Sequence, residues 1–574
     1  MSPRRFFMIA VAAVIALLLH QQPSSAADKQ KFRTIITAEE IRAMNVMKIS
    51  DLMNRIPGVK AGETSVSIRG SSNVKVLLDG RSINDPTSRS GAVKWSMISL
   101  DTIKKIEVYK GSGSTSYGDN TGGGVIIITT KSADRLGGTA DGYFGNNGQR
   151  SATLNLQGRK NSMSATFSAG HETYDGFTVN DDKTRNRLSG RVDYRFTPRF
   201  SLFLSGEYND EKKGLRGYPE RRTPNSRKEF DASSFLLGQK YGAVTGRTWY
   251  SSSKTVTTDP DRSLYASLEV LKAGQKINAP FVLPWFGEIN GGTGYEWQRA
   301  SGINFSTARE ERAWVFAEKK LEWTESPWSC LLGIRANYYS KFHNTLNPEL
   351  RVGYARKNYD LAFTANRSSN LPTFRQRYYE SSVTKPNPAL QMEKAMNYAF
   401  SLSVRPDSVF SFDASVFHRN IRDRITYVRK PDNTGRYENF GKVTYQGVET
   451  SLKWTPSSWV DIVPSYTYLH ALNEETGYWL PAKPFHTILT DIVIRPFRDF
   501  SLRVLAKYTG QVYVRSDNSE TIPAYTVVDV RADYQYGPVR FYIDIDNLLD
   551  EEYLYVDGYD APPREWFIGM NYNF

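Results

Sequence analysis

Glu565-Trp566-Phe567-Ile568-Gly569-Met570-Asn571-Tyr572-Asn573-Phe574 is the stretch whose reading decides the fold. In an extended strand Trp566, Ile568, Met570, Tyr572 and Phe574 share one face, while Phe567, Gly569, Asn571 and Asn573 share the other. A soluble domain gains nothing from a row of five large apolar groups that ends on a Phe. A membrane β-barrel needs such a strand, because every backbone group in lipid must be paired and the sheet must close. Tyr572 and Phe574 are therefore read as the barrel-assembly signal.

The same alternation recurs upstream. Val528, Val530, Ala532, Tyr534 and Tyr536 alternate with Asp529, Arg531, Asp533 and Gln535, and after a Gly537-Pro538 turn Val539, Phe541, Ile543 and Ile545 alternate with Arg540, Tyr542, Asp544 and Asp546. Phe200, Leu202, Leu204 and Tyr208, and later Tyr359, Leu361, Phe363 and Ala365, repeat the pattern. Apolar-out, polar-in patterning over residues 134–574 predicts an all-β transmembrane barrel. At about 20 residues per strand with its connection, that region holds about 22 antiparallel strands, and so wide a lumen needs a plug.

The other end of the chain agrees. Arg4 and Arg5 precede an apolar run from Phe6 to Leu19, and small residues follow at Ser24 to Ala27. Residues 1–27 are read as a secretory signal peptide. No later stretch approaches the length of a transmembrane helix, and the 34 Tyr, 29 Phe and 11 Trp suit two interfacial girdles. Cys330 is the only cysteine, which excludes an internal disulfide and a cysteine metal site. The net charge of +14 points to anionic lipid, lipopolysaccharide or an anionic ligand as partner, and not to nucleic acid in an exported barrel.

Residues 37–133 read as a small α+β unit, the plug, after a short N-terminal segment at 28–36. Thr37 with Glu40 three residues on marks a capped helix. Asp51 to Ile56 is a short helix stopped by Pro57-Gly58. Strands are expected at Ser65 to Gly70 and Val74 to Gly80, each ended by Gly, at Ile103 to Gly111 and at Val125 to Lys131, the last entered from a glycine turn at Tyr117 to Gly124. Gly111-Ser112-Gly113-Ser114 lacks the ending of a phosphate loop and is expected to open no helix.

At these residues the chain resembles the plug of TonB-dependent outer-membrane receptors, the active importers of ferric siderophores, haem, cobalamin and some sugars. The resemblance is carried in the plug by Arg55-Ile56-Pro57-Gly58-Val59, Ile68-Arg69-Gly70, Leu77-Leu78-Asp79-Gly80, Ile106 to Gly111 and Tyr117 to Thr130. In the barrel it is carried by Asn370-Leu371-Pro372-Thr373-Phe374, Asn387-Pro388-Ala389-Leu390, Tyr445 to Glu449 and Asn547 to Tyr553. It implies a 22-stranded barrel in the outer membrane of a Gram-negative bacterium, insertion by the barrel assembly machinery, and coupling to the TonB-ExbB-ExbD complex. Lys31 to Ala38 resembles the energy-coupling box, with Thr34, Ile35, Ile36 and Thr37 as the coupling strand. It also runs straight into the first plug helix, and reads better as the first plug strand, in which case the separate box is missing. Pro563-Arg564 stands where the family usually has Gly-Arg.

The function read from this is a receptor that imports a scarce ligand, most consistent with a ferric siderophore or cobalamin. Alternatives are a plugged or gated passive channel not coupled to TonB, and an outer-membrane hydrolase, for which no catalytic grouping is visible; no enzyme activity is expected. Ligand contacts are expected at the apical plug loops, Ala61 to Thr64 and Asn84 to Lys94, through Asn84, Asp85, Arg89, Lys94 and Trp95. A second set, Arg216, Tyr218, Arg221 and Arg222, lies in the basic stretch Glu211 to Phe230, where cations and an aromatic ring together would suit a ferric catecholate. His171, His343 and His470 are candidates for a single haem ligand. No cofactor or catalytic metal is expected, and Asp181-Asp182 with Asp557 and Asp560 are thin support for a structural calcium.

Overall fold

A computed structural model describes residues 33–574, apart from 45, 324, 431, 433 and 555–558. The signal-peptide reading and residues 28–32 lie outside the described residues. Twenty-two antiparallel strands close into one barrel. The last strand, Glu565–Asn573, pairs with Val539–Asp546 on one side and with the first barrel strand, Gly137–Gly145, on the other. The alternation sets its faces: Trp566, Ile568, Met570, Tyr572 and Phe574 are all exposed outward, whereas Phe567 and Asn571 are buried in the lumen. Tyr534, Phe541 and Ile543 face outward in the same way, and Arg531, Tyr542 and Asp544 face inward and are buried.

The two ends of the barrel differ. One carries tight turns such as 161–162 and 537–538; the other carries the long connections 371–392, 423–442 and 547–564. Outer-membrane barrels keep short turns on the periplasmic side and long loops outside. Exposed Trp285, Trp323, Trp459, Phe497 and Tyr536 mark the short-turn end. Their amphipathic rings suit the membrane–water interface.

The plug fills the lumen. Its strands are β1 (Thr34–Thr37), β2 (Val59–Ala61), β3 (Val66–Ile68), β4 (Val74–Leu78), β5 (Arg81–Ser82), β6 (Ile103–Lys110) and β7 (Gly124–Thr130). Five of them form a sheet in the order β1-β6-β7-β4-β5, with β4 and β7 parallel. Short helices α1 (Ala38–Met44) and α2 (Ile49–Asn54) cover one face. Ile36, Leu52, Met53, Ile68, Ile103, Ile106, Ile126 and Ile128 pack between the layers. The expected capping box is present: the Glu40 amide donates to Thr37 Oγ1 at 3.2 Å, and the Thr37 amide donates to Glu40 Oε2 at 2.7 Å. The region Gly111 to Ser114 departs from expectation. It does open a helix, the single turn α3 (Ser114–Tyr117), because the barrel supplies its cap. Glu349 accepts from the amides of Gly113 at 2.9 Å and Thr115 at 3.1 Å. A carboxylate thus stands where unpaired amides at a helix start favour an anion.

Polar groups dominate the seam between plug and barrel. Arg69, in the turn after β3, gives two hydrogen bonds of 3.1 Å to Glu449, and Lys110 gives a third at 3.1 Å. Arg419 reaches from the wall to the carbonyls of Ile68, Arg69 and Gly123. Gly58 needs its missing Cβ here. Its φ is +71°, and a Cβ would sit 1.7 Å from Glu449 Oε1.

Candidate functional site

The expected apical loop is built by one side chain. Asn84 accepts from the Val76 amide at 2.8 Å and donates to the carbonyls of Val74 at 2.9 Å and Gly91 at 2.8 Å. It staples the loop back onto β4, leaving Asp85 to Ser90 to project. Asp85 closes a tight turn by accepting from the Thr87 amide and hydroxyl at 2.8 and 2.6 Å. The barrel's 371–392 connection holds this loop from above. There Thr373 and Gln376 form a capping box at the start of a one-turn helix, α4 (Phe374–Tyr378). Gln376 also donates to the Arg89 carbonyl at 3.0 Å, and the Phe374 amide donates to the Pro86 carbonyl at 2.8 Å.

Two adjoining cavities open around this contact, of about 80 Å³ and about 220 Å³. They share Asn84, Gly91, Asn120, Leu371 and Thr373 as walls. The charges in the walls are close to balanced. Lys272, Arg312 and Lys341 face Asp85, Glu296, Glu310 and Glu311 in the first, and Arg89 and Arg424 face Glu393 in the second. Glu393 is already engaged by Asn73 at 2.6 Å and Arg424 at 3.3 Å. What remains for a ligand is a surface of amide and hydroxyl groups with charges of both signs.

Of the plug residues named from sequence, Asn84, Asp85 and Arg89 line these cavities. Lys94 and Trp95 do not. Trp95 is 4% exposed, packs in the plug core and donates from Nε1 to the Ser65 carbonyl at 3.2 Å. Lys94 is 8% exposed, with its ammonium over the Phe230 ring and no hydrogen-bond partner among the described residues. Burial, with Lys228 nearby, pushes its pKa down to about 7. The other apical loop meets the wall through Glu63, bonded to Lys213 at 3.1 Å and Arg185 at 3.3 Å. Burial opposes charge on Glu63, but Lys213, Lys183 and Arg185 outweigh it and hold the carboxyl well below the usual range.

The basic stretch Glu211 to Phe230 is shorter as a loop than expected, since strands run through Gly214 and resume at Arg227. Three of its arginines are already matched. Arg222 pairs with Asp560 at 2.6 Å, Arg216 donates to the Asp560 carbonyl at 2.8 Å, and Arg227 grips Asp182 with bonds of 2.6 and 2.7 Å. Tyr218 stacks on Tyr559 with ring centroids 4.6 Å apart. Arg221 is exposed. Asp182 and Asp560, named for calcium, thus face arginines, and Asp557 lies outside the described residues. Among the described residues no group of three or more His, Cys, Asp or Glu is placed to hold a metal ion. His470 stands edge-on to Trp479 at 4.3 Å, and His171 contacts Asn186 at 2.8 Å.

At the opposite end of the plug, Thr34, Ile35, Ile36 and Thr37 form β1, paired in register with Val108, Glu107, Ile106 and Lys105 of β6. β1 is an edge strand of the plug sheet. Arg33 pairs with Glu107 at 2.8 Å just before it. Sequence reasoning missed Gln376, Glu393, Arg424 and Tyr437 as cavity residues. The Thr373-to-Gln376 spacing of a capping box was the one local signal available for that wall.

A plugged barrel with a walled cavity under its long loops defines a receptor for an external solute in an outer membrane. The comparisons agree. The chain matches the TonB dependent receptor-like beta-barrel over residues 109–548 and the TonB-dependent Receptor Plug Domain over residues 25–125, and it belongs to the TonB-dependent receptor family, whose members are receptors and transporters. It is similar to the vitamin B12 transporter BtuB of Photobacterium profundum, at 25% identity over 94% of this chain and 92% of that one. BtuB of Vibrio vulnificus is 23% identical over the same shares. Among solved structures, the siderophore receptor PirA from Acinetobacter baumannii superposes with a TM-score of 0.80 at 17% identity, covering 95% of this chain and 98% of that one. The copper transporter OprC superposes with a TM-score of 0.81 at 15% identity, covering 95% and 100%. At these identities the superpositions speak to the fold alone.

Proposed function

We propose that this receptor imports a cobalamin-type ligand, energised from the periplasm through the N-terminal edge of the plug. The observation that carries the ligand reading is the balance of charge around the cavities, together with the pairing of Arg216, Arg222 and Arg227 to carboxylate-bearing loop residues. A ferric catecholate carries several negative charges and would need free cations. A corrinoid presents mostly neutral amides, which suit Asn, Gln, Thr and backbone donors. The curated BtuB relatives, similar over 94% of the chain, support the same ligand class.

The coupling reading rests on β1. A periplasmic partner strand can extend an exposed sheet edge by backbone pairing, and β1 is such an edge. Pulling there acts on β6, and through β6 on Lys110 and its Glu449 partner in the seam. The test is calorimetric titration of the purified barrel with cyanocobalamin and, separately, with a ferric catecholate. Cyanocobalamin binding weakened by Arg89→Ala with Gln376→Ala supports the reading. Catecholate binding without cyanocobalamin binding overturns it.

A further inference from the structure

Two arginines stand side by side on the outward face of the barrel. The strands Gly287–Gly302 and Phe305–Glu322 are neighbours, and their register sets Arg299 directly opposite Arg309. Their direction follows from the residues on either side. Gln298 and Glu310 line the first cavity, and Ala300 and Ala308 are buried with Phe374 inside the rim. With a period of two, Arg299 and Arg309 point away from the lumen. Side chains directly opposite have Cβ atoms about 5 Å apart, and like charges so placed repel. Among the described residues neither side chain has a hydrogen bond, an ion pair or a ring contact, and Arg299 Nε is buried without a partner. Other outward cations of this rim are matched: Lys212 is drawn to Glu229 at 3.8 Å and Lys254 to Glu269 at 4.0 Å. Glu311 follows Arg309 by two positions on the same face, and one carboxylate offsets at most one of the two guanidiniums.

The rings beneath the arginines fix their height in the membrane. Tyr250, Ala273 and Trp297 form one row across three strands, and Ser252, Leu271, Arg299 and Arg309 form the next. The turn above that row meets the long 371–392 connection, where the Glu380 amide donates to the Asn304 carbonyl at 3.0 Å. This is therefore the external end. Tyr250 and Trp297 belong to the outer girdle, where amphipathic rings mark the boundary of the apolar band. A tilted strand climbs about 2.5 Å per residue, so the arginines sit about 5 Å further out, in the headgroup layer.

We infer that Arg299 and Arg309 dock the phosphate group of an outer-leaflet lipid, whose chains lie along Leu271, Tyr250 and Trp297. A phosphomonoester presents three oxygens to two planar forks, and each guanidinium gives it parallel N–H bonds. An anion between the two removes their repulsion and satisfies donors that the protein leaves unmatched. The inner faces of the same two strands carry Gln298 and Glu310 into the first cavity. A lipid held outside thus braces the wall that a solute meets inside.

Native mass spectrometry of the full, detergent-solubilised barrel tests this, with bisphosphorylated lipid A and the same lipid dephosphorylated at both positions as probes. The parent should retain the first and release the second. Arg299→Gln with Arg309→Gln should weaken retention about tenfold or more. Arg299→Lys with Arg309→Lys should recover only part of it, since an ammonium lacks the fork. Heat-modifiable mobility on a gel establishes that each variant is folded. Equal retention by the parent and the Gln pair, or equal retention of the two lipids, overturns the inference. An equal loss in Lys212→Gln with Lys254→Gln marks general charge on the rim and overturns it as well. Displacement of the lipid by an equal concentration of inorganic phosphate assigns the arginines to a free anion and overturns the lipid assignment. Lipid capture is read without any imported solute, so either result leaves the importer reading to its own titration.

Discussion

Replacing Glu449 with Ala tests the idea that buried ion pairs hold the plug in place. Glu449 and Arg69 are 3% and 4% exposed. The carboxylate accepts all three hydrogen bonds from Arg69 and Lys110, each 3.1 Å long. Removing one partner of a buried pair strands the other charge, which costs about 3–5 kcal/mol. Arg69 keeps the Ser415 hydroxyl at 2.8 Å and the Phe417 ring at 4.5 Å. Lys110 keeps the Pro57 carbonyl at 2.7 Å. Those residual partners place the expected loss at the lower end, about 3 kcal/mol, or about a hundredfold in the undocked population. Urea titration followed by single-channel conductance reads it directly, because a displaced plug opens the lumen. The Glu449→Ala barrel should conduct at lower urea than the parent, with the barrel's own unfolding unchanged. Arg69→Met and Lys110→Met combined with Glu449→Leu should recover most of the loss, since apolar replacements leave no stranded cation. An unchanged opening midpoint in Glu449→Ala would refute the reasoning, and the seam would have to be held by backbone contacts such as those of Arg419.

Lys94→Met should stabilise the plug and remove a pH dependence. The Lys94 pKa is about 7 when folded against an ordinary 10.5, so the unfolded chain binds the proton more readily. Stability from this group is full above pH 10.5, falls as pH drops toward 7 and is flat below; urea midpoints measured across that window should slope in the parent and flatten in the variant. Deleting Asp28 to Arg33 should abolish pull-down by a periplasmic TonB domain if Arg33 anchors β1 for pairing. Retained binding places the contact elsewhere, and no binding by either chain leaves the plugged passive channel as the reading. Tyr218→Ala should speed proteolysis within 215–226 by freeing the loop from Tyr559, while changing barrel melting by less than about 1 kcal/mol, the scale of an exposed stack or ion pair; a large melting shift would refute that local role.

Barrel strands were legible because their signal is local. A period of two along each strand tells which of Phe541 and Tyr542 faces lipid without knowledge of any partner. The α1 cap was legible for the same reason, since Thr37 and Glu40 are three residues apart. The seam was not. Arg69 meets Glu449 across 380 positions, and α3 exists because Glu349 arrives from 234 positions away. The arginines after Gly214 misled in the same way. Counted along the chain they form a free cationic patch, but Asp182 and Asp560 come from other loops to neutralise Arg227 and Arg222. Trp95 read as an apical aromatic because it follows a polar loop, whereas its ring turns under that loop into the plug core.

The seam that closes the barrel joins residues about 420 positions apart. Bringing chain segments that far apart together costs about 5 kcal/mol in loop entropy before any contact repays it. Both participating edges, Gly137–Gly145 and Glu565–Asn573, stay unsatisfied until the final strand arrives, and in lipid an open edge is untenable. Glu565 meets that moment: its Oε1 accepts from Asn147 at 3.1 Å, Gln149 at 3.0 Å and Tyr174 at 3.1 Å, three donors from the first hairpins to emerge. Closure is thus a late, all-or-none event in the chain's biogenesis. A lesion in its last ten residues would act as a failure of insertion and would silence the receptor before any ligand was met.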